Sequence, residues 1–341
     1  MERRTIGAPS LQVGAVGLGC MPMHWAYTAS ARRREGSLEA IHAALDLGMN
    51  LLDTADMFGP FTNELLMGRV LRERRADAFV STKCGLLVGD QHIVANGHPG
   101  YVRRACDASL RRLRTDVIDL YQLHRPDPEV PVEETWGAMA DLVRAGKVRS
   151  LGFCAVGAYA GRRPSPIRAG RLVTGAERYR TTVSQLERVQ QVFPISAVTA
   201  ELSVWTPQAR ETLLPWCAAR GVGFLAAQPL GSGFLTGTLK PGQGFEPEDV
   251  RARHPRFTAE AMAGNQVLVA ELRRVARRHG PEVSAAQVAL AWVLAQGSQV
   301  VAVPGTKHAR WVAENARAAS LQLTAADLAG IAALPAAREA W

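Results

Sequence analysis

Lysine is scarce in this chain: Lys83, Lys147, Lys240 and Lys307 account for all of it, and the other 36 of the 40 basic residues are arginine. Against 31 acidic residues the formal charge is +9 at pH 7. A basic balance points to nucleic acid where the charge is clustered, and no block of five like charges occurs here. The arginine excess, in a chain crowded with alanine and glycine, reads as a compositional bias, and nucleic acid is not expected as a partner. Cysteine is sparse too. Cys20, Cys84, Cys106, Cys154 and Cys217 are odd in number and lack both a CxxC pair and zinc-ligand spacing. Free thiols in a cytoplasmic chain are therefore expected, and a metal site is not. No uncharged apolar run approaches the roughly 18 residues that a membrane-spanning helix needs. The start, Met1 to Gly7, carries charge with no apolar run behind it, so no secretory leader is expected.

What is present is an alternation. Short β-rich apolar runs (Val16–Cys20, Asn50–Thr54, Phe79–Lys83, Val117–Leu123, Val148–Cys154, Ala197–Ser203, Gly223–Gln228 and Val300–Pro304) are separated by helical patterns. Among these are Ser37–Leu47, Tyr101–Leu113, Val132–Ala145, Pro207–Arg220 and Ser284–Ala295, with apolar positions at three- and four-residue spacing. Several strand candidates are continuously apolar, as parallel strands covered on both faces are. Eight strand–helix units without a composition break predict one (β/α)8 TIM barrel across residues 1–341. A doubly wound open sheet is the alternative. Ahead of the first unit, Arg4–Ile6 and Leu11–Val13 flank Gly7-Ala8-Pro9-Ser10, which predicts a short β-hairpin. Behind the eighth strand, one helix and then an extra C-terminal helix starting at Thr324 are expected.

One loop breaks the rhythm. Residues 157–182 hold six arginines and one glutamate, far longer than the usual strand–helix loop of about 2–6 residues. Such a loop opens on the C-terminal face of a barrel, where active sites are built, and predicts an Arg-rich flap over the mouth. A disordered surface loop is the alternative.

Three successive strand candidates end on polar residues that suit proton transfer: Asp53, Lys83 and His124. As strands two, three and four of a barrel, they would bring a carboxylate, an ammonium and an imidazole to one mouth. Any one of them alone would read as a structural cap. Lys83 and Lys307 stand out further, because lysine is so rare here and differs from arginine as a compact charge with a movable pKa. Other histidines get a plainer reading. His42 fits a helix surface, and His92 and His98 near Asp90 lack a third ligand. Trp205, Trp216 and Trp292 are expected to pack in the helix layer, whereas Trp25 and Tyr27, just after the first strand, are expected to line a substrate pocket.

With these residues in view, the sequence resembles the aldo-keto reductases over essentially its full length. The resemblance is carried by Gly17-Leu18-Gly19-Cys20-Met21, Leu52-Asp53-Thr54-Ala55-Asp56-Met57-Phe58-Gly59, Ser81-Thr82-Lys83 and Leu123-His124-Arg125-Pro126-Asp127. Pro229 to Gly237 (PLGSGFLTG), Pro304-Gly305-Thr306-Lys307 and Glu314-Asn315 complete it. It implies a barrel that binds NADP(H) across its C-terminal mouth without a Rossmann fingerprint and reduces the carbonyl of a small-molecule substrate by hydride transfer. Asp53, Lys83 and His124 match three members of the family's Asp–Tyr–Lys–His tetrad. The proton-donating tyrosine falls on Phe58, whose ring has no hydroxyl to give. By the same resemblance, Gly19, Cys20, Met21, Asp53, Cys154, Thr199, Gln228, Leu230, Ser232, Gly233, Gly305, Thr306, Lys307, His308, Glu314 and Asn315 would hold the cofactor. Trp25, Tyr27, Phe58 and His124 would face the substrate.

Further departures cluster at the nicotinamide end. Cys154-Ala155 replaces a Ser-Asn or Ser-Glu pair, Thr199 a glutamine, and Ala227 a stacking tyrosine followed by Gln228 for serine. The phosphate end keeps Gly231-Ser232-Gly233 for close backbone approach, and Lys307 with His308 to meet a ribose 2′-phosphate. Two functional expectations follow. The first is an NADP(H)-dependent carbonyl reductase with an altered proton donor, His124 serving carbonyl orientation or acid work. The second is a cofactor-binding member without ordinary reductase activity, either a redox-neutral isomerase or dehydratase or a regulatory subunit. Lys307→Glu should weaken NADPH binding by roughly tenfold or more while sparing NADH, because only the 2′-phosphate needs the cation. Equal affinity of the parent protein for both cofactors, by fluorescence titration, would count against Lys307 as the 2′-phosphate site.

Overall fold

A computed structural model describes residues 1–8, 10–24, 26–27, 36–89, 93–155 and 175–337. An antiparallel hairpin, β1 (Arg3–Thr5) and β2 (Gln12–Gly14), comes first. The barrel strands are β3 (Leu18–Gly19), β4 (Leu51–Asp53), β5 (Phe79–Cys84), β8 (Ile118–Leu123), β9 (Val148–Cys154), β10 (Ala197–Glu201), β11 (Gly223–Ala227) and β12 (Val300–Val303). All are parallel and pair in the order β12-β11-β10-β9-β8-β5-β4-β3. Parallel bridges from Val16 to Ala302 and from Gly19 to Gly305 join the first strand to the last. The eight-strand barrel is therefore as the alternation predicts. The first and last strands approach closely at Gly19, where a Cβ would stand 3.2 Å from the Gly305 Cα.

The helices are α1 (Ser37–Asp46), α2 (Thr62–Arg74), α3 (Pro99–Leu113), α4 (Val132–Arg144), α5 (Gly175–Val192), α6 (Leu213–Ala219), α7 (Ala259–Gly264), α8 (Gln266–Arg278), α9 (Ala285–Leu294), α10 (Ala309–Arg317) and α11 (Ala325–Ala332). Ser284 and Thr324 cap α9 and α11 through full capping boxes with Gln287 and Asp327. None of the described helices is long and apolar enough to cross a membrane.

The structure differs from the expected pattern at four places. The helix expected over Pro207–Arg220 is broken into a 3-10 turn (Gln208–Glu211) and α6. Pro215 has no N–H to continue the ladder back to Glu211. A second hairpin, β6 (Leu86–Val88) with β7 (Ile93–Ala95), follows β5. Its strands are too short to show a period. The seventh unit carries α7 and α8 as well as α9. Finally, the last eight positions of the expected loop 157–182 belong to α5, which starts at Gly175. Residues 156–174, and with them the flap itself, lie outside the described residues, as do Trp25, Asp90 and His92.

The floor of the barrel is sealed by the first hairpin. Ile6 and Val13, fully buried, pack with Leu51, Phe79, Leu120, Leu225 and Val301 inside the strands. Arg4 anchors the hairpin by donating from Nη1 to the carbonyls of Leu294, Gly297 and Val300. Ile6→Ala should cost about 2–4 kcal/mol in urea unfolding, since the floor is fixed by surrounding strands and cannot collapse around the void. A loss under about 1 kcal/mol would show that the hairpin is an ornament rather than a plug.

Candidate active site

Strand register builds the site. Asp53 ends β4 opposite Ser81 of β5, and Lys83 lies opposite Gln122 of β8. Side chains alternate across a strand, so positions 53, 81, 83 and 122 share the barrel interior. Lys83 Nζ donates to Asp53 Oδ2 at 2.6 Å and to the Thr54 carbonyl at 2.8 Å. The other carboxylate oxygen, Asp53 Oδ1, accepts from Ser81 Oγ at 2.8 Å and Gln122 Nε2 at 3.2 Å. Gln122 Nε2 also donates to Ser81 Oγ, and its Oε1 accepts from Thr199 Oγ1 at 2.6 Å. A continuous polar chain thus runs from β10 across β8 and β5 to the Asp53–Lys83 pair. Ser81, Lys83, Gln122 and Thr199 are all buried. Gln122 was not among the residues singled out from the sequence. The signal for it is a polar side chain inside the apolar run Ile118–Leu123, two positions before His124.

His124 and Phe58 stand on the mouth side of this chain. Their rings meet edge to face, with centroids 6.1 Å apart and planes at 85°. Lys83 Nζ lies 5.6 Å from the centre of the Phe58 ring. His124 is anchored by its backbone N–H to the Cys84 carbonyl at 2.8 Å, and its Nδ1 is buried with no hydrogen-bond partner among the described residues. Burial above all, then the charges of Lys83 and Arg125, holds the imidazole well below its usual pKa. It is uncharged at neutral pH. Phe58, Met57, Ala55 and Leu86 form an apolar patch, extended by Met21 and by Val88, Ile93 and Ala95 of the second hairpin. That patch is the dry wall of the site.

The other expected residues fall into two groups. Behind β11 the backbone turns left-handed at Gln228 (φ 50°), Gly231 (φ 55°), Ser232 (φ 52°) and Gly233 (φ 94°). Two of these are not glycine, and each such position costs about 1–2 kcal/mol, a strain that marks functional turns. The Leu230 carbonyl closes the turn by accepting from Gly233 and Leu235 N–H. Tyr27 hydrogen-bonds the Ser232 side chain, and Arg251, paired with buried Asp249 at 2.7 Å, stacks 4.8 Å over the Tyr27 ring. The structure thus joins Tyr27 to the Gly-rich turn.

The second group follows β12. Thr306 Oγ1 accepts from the His308 N–H at 3.2 Å, and His308 precedes α10 as its N-cap. Lys307 is half-buried, has no carboxylate partner among the described residues, and has its pKa lowered by burial. Glu314 is taken up by Ser284 Oγ at 2.5 Å, and Asn315 beside it is buried. Cys20 and Cys154 are buried free thiols at the ends of β3 and β9. His98 caps α3 by accepting from the Gly100 N–H, and the three expected tryptophans are packed, which are the structural readings.

Beneath Phe58 sits a carboxyl with a cost. Asp56 is buried, its Oδ1 has no partner among the described residues, and Tyr101 Oη donates to Oδ2 at a long 3.3 Å. Burial first, then the nearby charge of Glu64, raises its pKa from 3.8 to about 7.

A family profile described as the aldo/keto reductase family matches residues 15–161 and 179–335. A probable aldo-keto reductase of Glycine max is 34% identical over 325 residues, covering 95% of this chain and 86% of the relative. Among solved structures, a glycerol dehydrogenase from Gluconobacter oxydans superposes with a TM-score of 0.80 at 27% identity, covering 97% of this chain and 94% of that one. An aldo-keto reductase from Bacillus halodurans superposes with a TM-score of 0.73 at 25% identity, covering 99% and 98%.

The Asp56 carboxyl makes a pH prediction. Between about pH 4 and pH 7 the folded protein keeps a proton that the unfolded chain has released, so this group lowers stability as pH rises through that window. Asp56→Asn should flatten the slope, giving little change near pH 4 and a gain on the order of 1–3 kcal/mol at pH 8. Parallel stability–pH curves for parent and variant would show that Asp56 ionises without cost.

Proposed function

The chain belongs to the aldo/keto reductase family of oxidoreductases, and on that premise we propose that it is an NADP(H)-dependent reductase of a small or specialised carbonyl metabolite. The reading rests above all on one observation: a buried Asp53–Lys83 pair and an uncharged His124 surround a phenyl ring, Phe58, where the family resemblance places a tyrosine.

The residues present fit the cofactor. Lys307, a half-buried cation without a carboxylate partner among the described residues, suits a 2′-phosphate. The strained turn Gly231–Gly233, clasped by Tyr27 and Arg251, suits a pyrophosphate. Bound there, the cofactor would supply a hydride. The chain's own groups handle the proton. His124, being neutral, orients the carbonyl oxygen by hydrogen bonding and is a poor acid, which favours the first of the two roles expected of it. The Lys83 ammonium, held in place by Asp53, is then the proton source. It delivers through a water molecule, because Phe58 offers no hydroxyl to relay. Asp53 fixes the ammonium by its ion pair at 2.6 Å, and Lys83 regains a proton from solvent by the same water route, while the apolar patch around Phe58 and Leu86 limits other water.

A second reading has its own support. With Phe58 apolar and Thr199 committed to Gln122, the protein would bind the cofactor without ordinary reductase turnover. Phe58→Tyr separates the two. In a competent site the new phenol would stand beside Lys83 and His124, its pKa lowered by the ammonium. Single-turnover NADPH oxidation with a reactive aldehyde at saturating cofactor should then rise by about a hundredfold or more. A rate unchanged within about a factor of three would favour the second reading.

A further inference from the structure

We propose that Arg125 is a receptor for an anionic group on the substrate, so that the carbonyl compounds this enzyme takes carry a carboxylate. The inference names the substrate class of the reductase proposed above and rests on that reading for its chemistry. Arg125 directly follows His124 at the end of β8 and is half-buried beside Cys154 at the end of the adjacent strand β9. Two other half-buried arginines at this end of the barrel are neutralised: Arg251 by Asp249 and Arg256 by Glu201, each at 2.7 Å. Arg125 has no hydrogen bond or ion pair among the described residues.

The carboxylate nearest in sequence is spoken for. Asp127 Oδ2 accepts from the Gly97 N–H at 2.8 Å, and its Oδ1 from the Glu129 N–H at 2.9 Å. Those bonds, with the His124 N–H on the Cys84 carbonyl, pin the backbone on both sides of Arg125. The backbone that carries Arg125 is therefore fixed in advance, while no described residue neutralises its charge. Burial lowers its pKa, so an anion arriving there would relieve a cost the free protein carries. A guanidinium presents a planar fork matched to a carboxylate. Its neighbour His124 orients the carbonyl, so one molecule bearing both groups would be held at two points.

The test compares short straight-chain ω-oxo acids with alkanals of equal chain length, in the parent protein, Arg125→Gln and Arg125→Lys. Binding of the matching alkanoates, which cannot be reduced, is followed separately by calorimetry. The parent should prefer the oxo acids in kcat/KM. Arg125→Gln should lower that preference by about tenfold or more and weaken alkanoate binding, with Arg125→Lys in between. A parent without preference, or a preference and alkanoate affinity that survive Arg125→Gln, overturns the proposal. If the parent reduces neither aldehyde class, the reductase reading fails by itself. Alkanoate binding abolished by Arg125→Gln would then still support the anion site, and binding left intact would overturn it.

Discussion

The Asp53–Lys83 ion pair is the constraint around which the interior of this barrel is arranged. Both groups are largely withdrawn from water, 13% and 3% exposed, and are 2.6 Å apart. Desolvating two charges costs several kcal/mol each, and their attraction offsets this only when the remaining donors and acceptors are also satisfied. Here the Thr54 carbonyl accepts a second hydrogen bond from the ammonium, while Ser81 and Gln122 donate to the other carboxylate oxygen. Removing one partner would leave a buried charge alone. The pair therefore demands a strand register that keeps β4, β5 and β8 fixed to within one residue, since a single slip would turn Asp53 or Ser81 into the helix layer.

The same pair sets the electrostatics of its neighbours. Burial does most to keep His124 uncharged, and Lys83 and then Arg125 add to it. A catalytic mouth with one ammonium, one neutral imidazole and an apolar wall is selective about where a proton can reside. Asp56 shows the opposite arrangement just below: a carboxyl in the helix layer, close to Glu64, with too few donors. Glu64 itself is satisfied by Thr82 and Arg112. The stretch from Asp53 to Phe58 therefore joins a fully satisfied carboxylate to one kept under strain, within a single turn of chain that positions the ring.

How much of this was legible in the sequence follows from how local each signal is. Asp53, Lys83 and His124 could be read because each ends an apolar run at a strand terminus. The barrel itself was legible in the repeat of buried runs and helical periods. Gln122 was not, because one polar residue within an apolar strand carries no sign of what it reaches, and its partners Thr199 and Asp53 come from distant strands. The β6–β7 hairpin hid for a different reason: three-residue strands are below the length at which alternation can be counted. The break before α6 was in principle readable from Pro215. Thr199, expected at the nicotinamide, also donates to Gln122, a partner that only the closed barrel reveals.

The two ends of the barrel divide the physical work. At the floor, Ile6 and Val13 pack against the strand interior and Arg4 Nη1 is held by three backbone carbonyls. At the mouth, the structure tolerates left-handed backbone at Gln228 and Ser232 and, among the described residues, an imidazole nitrogen of His124 without a partner and cations at Lys307 and Arg125 without a carboxylate. Each is unfavourable for the isolated fold, and the unpaired groups among them would be relieved by an anion or a hydrogen-bonding partner. Deficits of this kind scattered over the surface would signal only marginal folding. Here they are collected on the loops after β8, β11 and β12, at the one end of the barrel where the Asp53–Lys83 pair and His124 also stand.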